Sequence, residues 1–133
     1  MAEFEWGGGL SAFYTTKIVA AAQDVACRAC SVDRDDLATE ARKSKVAFAR
    51  QLSMYLCHVV ANMSLRDISG AFGRDRTTVS HACHAIEDRR ECPTFDRQID
   101  FLEKELRACI RGIVDDAMAT GPPIVRKHLR FVS

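Results

Sequence analysis

The chain lacks a long hydrophobic run and a secretion signal. An apolar run such as residues 18–22, IVAAA, is far shorter than the roughly 20 residues that a membrane-spanning helix needs. The N-terminus, MAEFEWGGGL, carries acids where a secretory signal has Lys or Arg, and no apolar segment follows it. These absences predict a cytoplasmic protein that has no membrane partner.

The sequence has six cysteines but lacks the spacing of a disulfide scaffold. Cys27, Cys57, Cys83 and Cys109 lie within apolar segments of helical pattern, where a reduced thiol behaves as a small hydrophobic group. Thiols in the cytosol usually stay reduced. We therefore expect buried free cysteines rather than disulfides.

An excess of charge of one sign is also missing, because the formal net charge of the 133 residues is only +1. This balance argues against a generic polycation. The charge is nevertheless uneven: residues 41–90 carry a net +5, whereas residues 1–40 and 91–120 carry −4 and −3. A middle segment of this kind is the candidate for contact with a polyanion such as nucleic acid.

No segment shows the alternation of a β-strand, an internal repeat or low complexity, and 47% of the residues are hydrophobic. This pattern predicts an all-α fold, a compact bundle of five or six helices. We expect a flexible N-terminal lead at 1–10, one helical domain at 11–116 and a basic C-terminal tail at 117–133. Helices are predicted at about 11–30, 46–62, 65–72 and 76–90, followed by a long last helix that ends before Gly121-Pro122-Pro123.

The predicted last helix is amphipathic, and Thr94 is its expected N-cap. Its apolar residues recur at intervals of 4, 3, 4, 3 and 4: Phe95, Ile99, Leu102, Leu106, Cys109 and Ile113. The expected partner of this stripe is the core of the same domain. A homodimer or a protein partner through the 94–114 helix is the alternative.

The segment from Ser64 to Glu87 has the pattern of a helix-turn-helix. Ser64 begins a short helix as its predicted N-cap, Gly73 ends it, and Asp75 is the predicted N-cap of the next helix. In that second helix Val79, Ala82, Cys83 and Ile86 form a stripe suited to burial, and the polar residues face the other way. A second helix of this kind is typical of one that enters the major groove of DNA.

The polar side of the second helix has the groups that read base edges. Arginine donates two hydrogen bonds to guanine, a threonine methyl fits the thymine methyl, and an aspartate accepts from cytosine. The small residues matter because a bulky side chain at 77 or 80 would hold the helix away from the bases. The predicted base-contacting residues are Asp75, Arg76, Thr77, Thr78, Ser80 and His81.

Basic residues around this segment are the candidates for contact with the DNA backbone. Phosphate contacts position a helix without reading sequence, and an arginine in a connector also suits the minor groove. The candidates from the residues alone are Arg42, Lys43, Lys45, Arg50 and Arg74.

The chain resembles the C-terminal DNA-binding domain of the bacterial replication initiator DnaA over about residues 18–90. That family carries a phrase like GGRDHTTVLHA, and this chain has FGRDRTTVSHA at 72–82. Residues 49–56, ARQLSMYL, resemble the family's RQ-x-A-M-Y-L helix. Residues 32–37 and 42–45 are similar to the helix and basic loop that precede it. The resemblance implies a helix-turn-helix fold, binding to double-stranded DNA and an association with the nucleoid.

The resemblance also implies roles for single residues. Asp75, Thr77 and Thr78 match base-contacting positions, Arg42 matches a minor-groove arginine, and Arg50 matches a phosphate-contacting arginine. The chain departs from the family at His58, which replaces a phosphate-contacting lysine, and it lacks one glycine of the turn. Arg76 replaces a histidine, and we expect it to prefer guanine.

The chain has no phosphate-binding loop of the form G-x-x-x-x-G-K-[ST], which the initiator's ATPase module carries. We therefore expect a stand-alone DNA-binding domain with no nucleotide, no cofactor and no enzymatic activity. The favoured function is sequence-specific regulation of transcription. The alternative is regulation of replication by occupying initiator-type boxes without ATPase activity.

Two other classes of function compete with DNA binding. Cys27-x-x-Cys30 with His81, Cys83 or His84 suggests a zinc site, but no second CxxC lies at finger spacing. Ser80-His81 and Cys83-His84 suggest a nucleophile and a base, but adjacent residues on a helix point about 100° apart. We expect neither a metal site nor catalysis, and a pure protein-interaction module stays open beside DNA binding.

Overall fold

The computed structural model describes residues 3–4, 8–38, 44–120 and 131–132, with side chains described at 14–37 and 44–119. This part contains five α-helices: α1 Gly8–Cys30, α2 Ser44–Val59, α3 Leu65–Phe72, α4 Arg76–Arg89 and α5 Pro93–Thr120. A 3-10 helix, Arg34–Ala38, lies between α1 and α2. Two strands of two residues each, β1 Glu3–Phe4 and β2 Phe131–Val132, pair antiparallel with Glu3 opposite Val132. The all-α prediction is confirmed.

Helix α2 lies at the centre of the bundle, where it contacts α1, α3, α4 and the 3-10 helix. Every residue from 52 to 57 is buried, because neighbours cover the helix on several sides. The buried hydroxyl of Ser53 donates to the carbonyl of Ala49 at 2.8 Å, so this polar group is satisfied. The central helix thus gives α4 a fixed apolar surface.

Two predicted helix bounds were wrong. Helix α1 begins at Gly8 rather than Ser11, and α2 runs from Ser44 to Val59 rather than from 46 to 62. Asn62 has φ +55°, a left-handed conformation that an α-helix cannot continue through. The amide of Met63 donates to the carbonyl of Cys57 at 3.2 Å, which closes this end of α2.

Helix α5 packs on α1 and contributes to the same core, which confirms the domain itself as the partner of its apolar stripe. The predicted register holds at Phe95, Ile99 and Leu106 but was wrong further along. Ile110 and Val114 are buried there, whereas the predicted stripe residues at 109 and 113 are half-buried. On a straight α-helix, a stripe with a period of 3.5 residues rotates around the axis by about 20° per heptad. The residues that face the core of the bundle therefore shift by one position further along α5.

The start of α5 also differs from the prediction. Pro93 is its first residue, and the amide of Asp96 donates to the carbonyl of Cys92 at 2.9 Å. Cys92 therefore holds the N-cap position, and the prediction of Thr94 as the N-cap was wrong. Proline suits a first helical position because its missing N–H has no partner there. Backbone hydrogen bonds from Phe95 and Thr94 lower the pKa of the exposed Cys92 thiol.

Arg90, the residue after α4, joins α4 to α5 and α2. Its guanidinium donates to Asp96 Oδ1 at 2.6 Å, to Glu103 Oε2 at 2.6 Å and to the Tyr55 hydroxyl at 2.8 Å, and it also bonds to Asp100. Burial raises the pKa of Tyr55 to about 12, so its hydroxyl stays neutral in this cluster. The C-terminal end of α4 is thus held by several charged hydrogen bonds, whereas its N-terminal end is exposed.

Candidate nucleic-acid interface

A three-residue turn joins α3 to α4. The N-cap Ser64 begins α3 by accepting a hydrogen bond from the amide of Asp67 at 3.0 Å. Gly73 ends it with φ +63° and ψ +34°, the left-handed region where a side chain is strained. The Ser69 hydroxyl donates to the carbonyl of Arg74 across the turn. The angle between α3 and α4 is therefore set by a cap, a glycine and a bridging hydroxyl.

Asp75 is the N-cap of α4, as predicted. Its Oδ1 accepts a hydrogen bond from the amide of Thr78 at 2.7 Å. This backbone hydrogen bond holds the pKa of the Asp75 carboxyl below its usual range. An ionised carboxylate at this position also suits the positive end of the helix dipole.

Helix α4 is two-sided in the manner that the sequence indicates. Val79, Ala82, Cys83 and Ile86 are buried against the core. The six predicted base-contacting residues, which we call the base-reading surface, lie at the opposite side and the start of the helix. Five of them are exposed, and Ser80 is half-buried: Asp75, Arg76, Thr77, Thr78, Ser80 and His81. Within the described part of the chain, this surface is open to solvent.

The predicted backbone-contacting residues have different surroundings. Lys45 is exposed in the first turn of α2, and Arg74 is half-buried beside the turn. Arg50 is half-buried, and its Nε donates to the carbonyl of Leu37 at 3.1 Å, so part of its guanidinium is engaged inside the protein. Arg42 and Lys43 lie outside the described residues.

His58 lies 2.9 Å from the carbonyl of Met63 through Nδ1. Because a carbonyl only accepts, Nδ1 must carry the proton in this contact. Nε2 is then the ring nitrogen that remains for a contact outside the protein. His58 therefore has fewer hydrogen-bond donors for a phosphate than the lysine that the resemblance places there.

Two features of the site were missed by the sequence reasoning. The Ser69 bridge spans a turn between residues five apart, for which the sequence offers no signal. The Arg90 cluster does have one, because Asp96, Asp100 and Glu103 recur at helical spacing on α5.

The described residues offer no group of three or more His, Cys, Asp or Glu side chains placed to hold a metal ion. Burial raises the pKa of the Cys27 and Cys30 thiols, and it raises that of Cys83 to about 11. These thiols are therefore protonated and uncharged where they lie in the core. Among the same residues, no helix has the length and apolar character to cross a membrane.

Comparison with known proteins gives one consistent family. The model of the bacterial dnaA protein helix-turn-helix matches residues 19–86. The chain is 37% identical to the chromosomal replication initiator protein DnaA of Synechococcus sp. (strain JA-2-3B'a(2-13)) over 86 residues, which are 63% of this chain and 18% of that protein. The corresponding protein of Lachnoclostridium phytofermentans is 37% identical over 73 residues, covering 53% of this chain and 16% of its own length.

Solved structures give the same result. A crystal structure of a DNA replication initiation factor has a TM-score of 0.66 at 30% identity and covers 71% of this chain and 30% of that one. A replication initiator DnaA bound to AMPPCP and single-stranded DNA has a TM-score of 0.66 at 28% identity, covering 78% and 33%. The chain spans less than a fifth of the length of the curated relatives that it matches. It belongs to the family of bacterial DnaA helix-turn-helix domains.

Proposed function

We propose that this chain binds double-stranded DNA in a sequence-specific manner, with the base-reading surface in the major groove. The observation that carries the proposal is the exposure of the first two turns of α4 over a buried apolar side. A major groove about 12 Å wide admits one helix, and its edges distinguish all four base pairs.

Each residue of the base-reading surface has chemistry that suits a base edge. Arg76 is the candidate for two hydrogen bonds to guanine O6 and N7, and the methyl groups of Thr77 and Thr78 suit thymine. Asp75 is exposed and caps α4 through Oδ1, and its carboxylate is the candidate to accept from cytosine N4. Ser80 and His81 follow one turn along, where short or flat side chains permit close approach.

Contacts to phosphates would then fix the register of α4. Lys45 is the strongest candidate because its ammonium is exposed. Arg50 and Arg74 are half-buried and each has interactions within the protein, so they would contact phosphates from a fixed position rather than as mobile surface charges. Arg42 remains the predicted minor-groove contact, and Lys43 and His58 remain predicted backbone contacts.

For the process, we propose occupation of initiator-type DNA boxes, since the two curated relatives described above are named chromosomal replication initiators. Regulation of transcription is the second candidate, because the same binding to a box near a promoter would regulate transcription. A genome-wide map of bound sites separates the two. Sites confined to a replication origin support control of replication, whereas sites spread over promoters support control of transcription.

Selection of bound duplexes from a random pool tests the proposal itself. We expect one enriched sequence, bound about a thousandfold more tightly than a scrambled duplex of the same composition. The same sequence as single strands is the control, because one structural relative was solved with single-stranded DNA. No enrichment, or tighter binding to the single strands, would overturn the proposal.

A further inference from the structure

Helix α5 has a second face that is mostly exposed within the described part of the chain. Its residues recur at intervals of 4, 3, 4 and 3, and we call them the outer face of α5: Thr94, Gln98, Phe101, Glu105 and Ala108. Four of them are exposed and Glu105 is half-buried. Phe101 lies at the centre with 65% of its surface exposed, more than any other large hydrophobic residue described. This spacing is that of a helix that packs against another helix.

A groove of about 510 Å³ adjoins Phe101. Its walls come from the end of α1, the start of α2 and α5, and they include Cys30, Phe48, Leu52, Phe95 and Leu102. Phe48 and Phe95 meet edge to face at 6.1 Å between ring centroids, and the guanidinium of Arg89 lies over both rings. An apolar groove with ordered aromatic walls suits a further aromatic side chain.

Two side chains of opposite charge lie at equal distances along the sequence on either side of Phe101. Arg97 precedes it by four residues and Glu105 follows it by four. If two such helices pack antiparallel about a two-fold axis at Phe101, each Arg97 lies opposite the Glu105 of the other copy. Glu105 uses Oε1 to accept from Arg28 at 2.6 Å and keeps Oε2 for this contact. Thr94 would lie opposite Ala108, and these small side chains permit close approach of the helices.

We propose that the outer face of α5 binds a second copy of this chain, with Phe101 of each copy in the groove of the other. A two-fold interface requires a self-complementary surface, and the placement of Arg97, Phe101 and Glu105 provides one. The interface is small, so we expect a dimer that forms in the micromolar range. Helix α5 begins beyond residue 86, where the family match ends.

The dimer would carry two base-reading surfaces. This consequence rests on the proposed function, whereas self-association does not, so the two are tested separately. A two-fold dimer with two surfaces fits an inverted pair of half-sites.

Sedimentation velocity of the purified chain without DNA tests the interface. We expect dimer at concentrations of about 100 µM, and at least a tenfold weaker association for Phe101→Glu. Met118→Glu is the matched control, because Met118 is an exposed hydrophobic residue of the same helix outside the outer face. We expect this control to dimerise as the native chain does.

Charge reversal gives an independent readout. Arg97→Glu should weaken dimerisation, and adding Glu105→Arg should restore it, because the pair is exchanged across the axis. Circular dichroism confirms that each variant is folded before sedimentation. A native chain that stays monomeric up to about 1 mM, or a dimer that survives Phe101→Glu, would overturn the proposal.

Discussion

Gly73 sets the angle at which α4 leaves α3, and replacing it with alanine should destabilise the fold by a predictable amount. A Cβ built on Gly73 meets no atom within 4 Å, so the substitution creates no steric overlap. The cost comes from the backbone, which has φ +63°, and the left-handed conformation costs an L-residue about 1–2 kcal/mol. We expect Gly73→Ala to lower the free energy of unfolding by about 1 kcal/mol.

Gly70 gives a matched control three residues earlier. It lies within α3, is exposed, and a Cβ there also meets nothing within 4 Å. Because Gly is a poor helix former, Gly70→Ala should raise the free energy of unfolding by about 0.5–1 kcal/mol. Urea denaturation followed by circular dichroism measures both variants, and Gly73→Asn should fall nearer the native value. If both alanine variants shift stability in the same direction, the turn does not have the geometry described.

Three further predictions concern the DNA-binding surface. Arg76→Ala should weaken the free energy of binding to the selected duplex by about 1–3 kcal/mol and relax the preference at one base pair. Unchanged specificity in a repeated selection would remove Arg76 from the base-reading surface. Lys45→Ala should weaken all duplexes alike and lower the slope of log affinity against log salt by about one, whereas the exposed Lys104→Ala on α5 should leave the slope unchanged. The Asp75 cap should stabilise the fold above the usual carboxyl pKa of 3.8 and lose its effect as the pH falls below that value, because the folded-state pKa is lowered. The melting temperatures of the native and Asp75→Ala chains should therefore converge in acid. A difference in melting temperature that stays constant with pH would contradict the cap.

The helix-turn-helix was predictable because its signals are local. Ser64 and Asp75 each accept from an amide three residues ahead, and the amide of Gly73 donates to the carbonyl of Ser69 four residues back, so residue type and position suffice to place them. The buried stripe of α4 follows from the helical period for the same reason.

The parts that were not predictable depend on distant contacts. Arg50 has a basic side chain at a suitable position, yet its engagement with Leu37 needs the 3-10 helix to lie beside α2. The sequence indicates Arg90 as the end of a helix, but its hydrogen-bond partners are 6 to 35 residues away along the chain. Along α5 the register changed because small differences between periods accumulate over a helix of 28 residues.

The family match covers most of the bundle and leaves α5 outside it. The Arg90 cluster is the connection between the two, since it bonds the end of α4 to three carboxylates of α5. A helix anchored in this way adds to the core on one side and presents its outer face on the other.

The most direct test of the account is to block the base-reading surface without changing the fold. Thr77→Trp places a bulky ring on the exposed start of α4, and Ala119→Trp places the same ring at an exposed position near the end of α5. With fluorescence anisotropy on the selected duplex, we expect Thr77→Trp to lose specific binding and Ala119→Trp to keep native affinity, while both unfold at the native urea concentration. Equal affinity of the two variants would contradict the entry of α4 into the major groove.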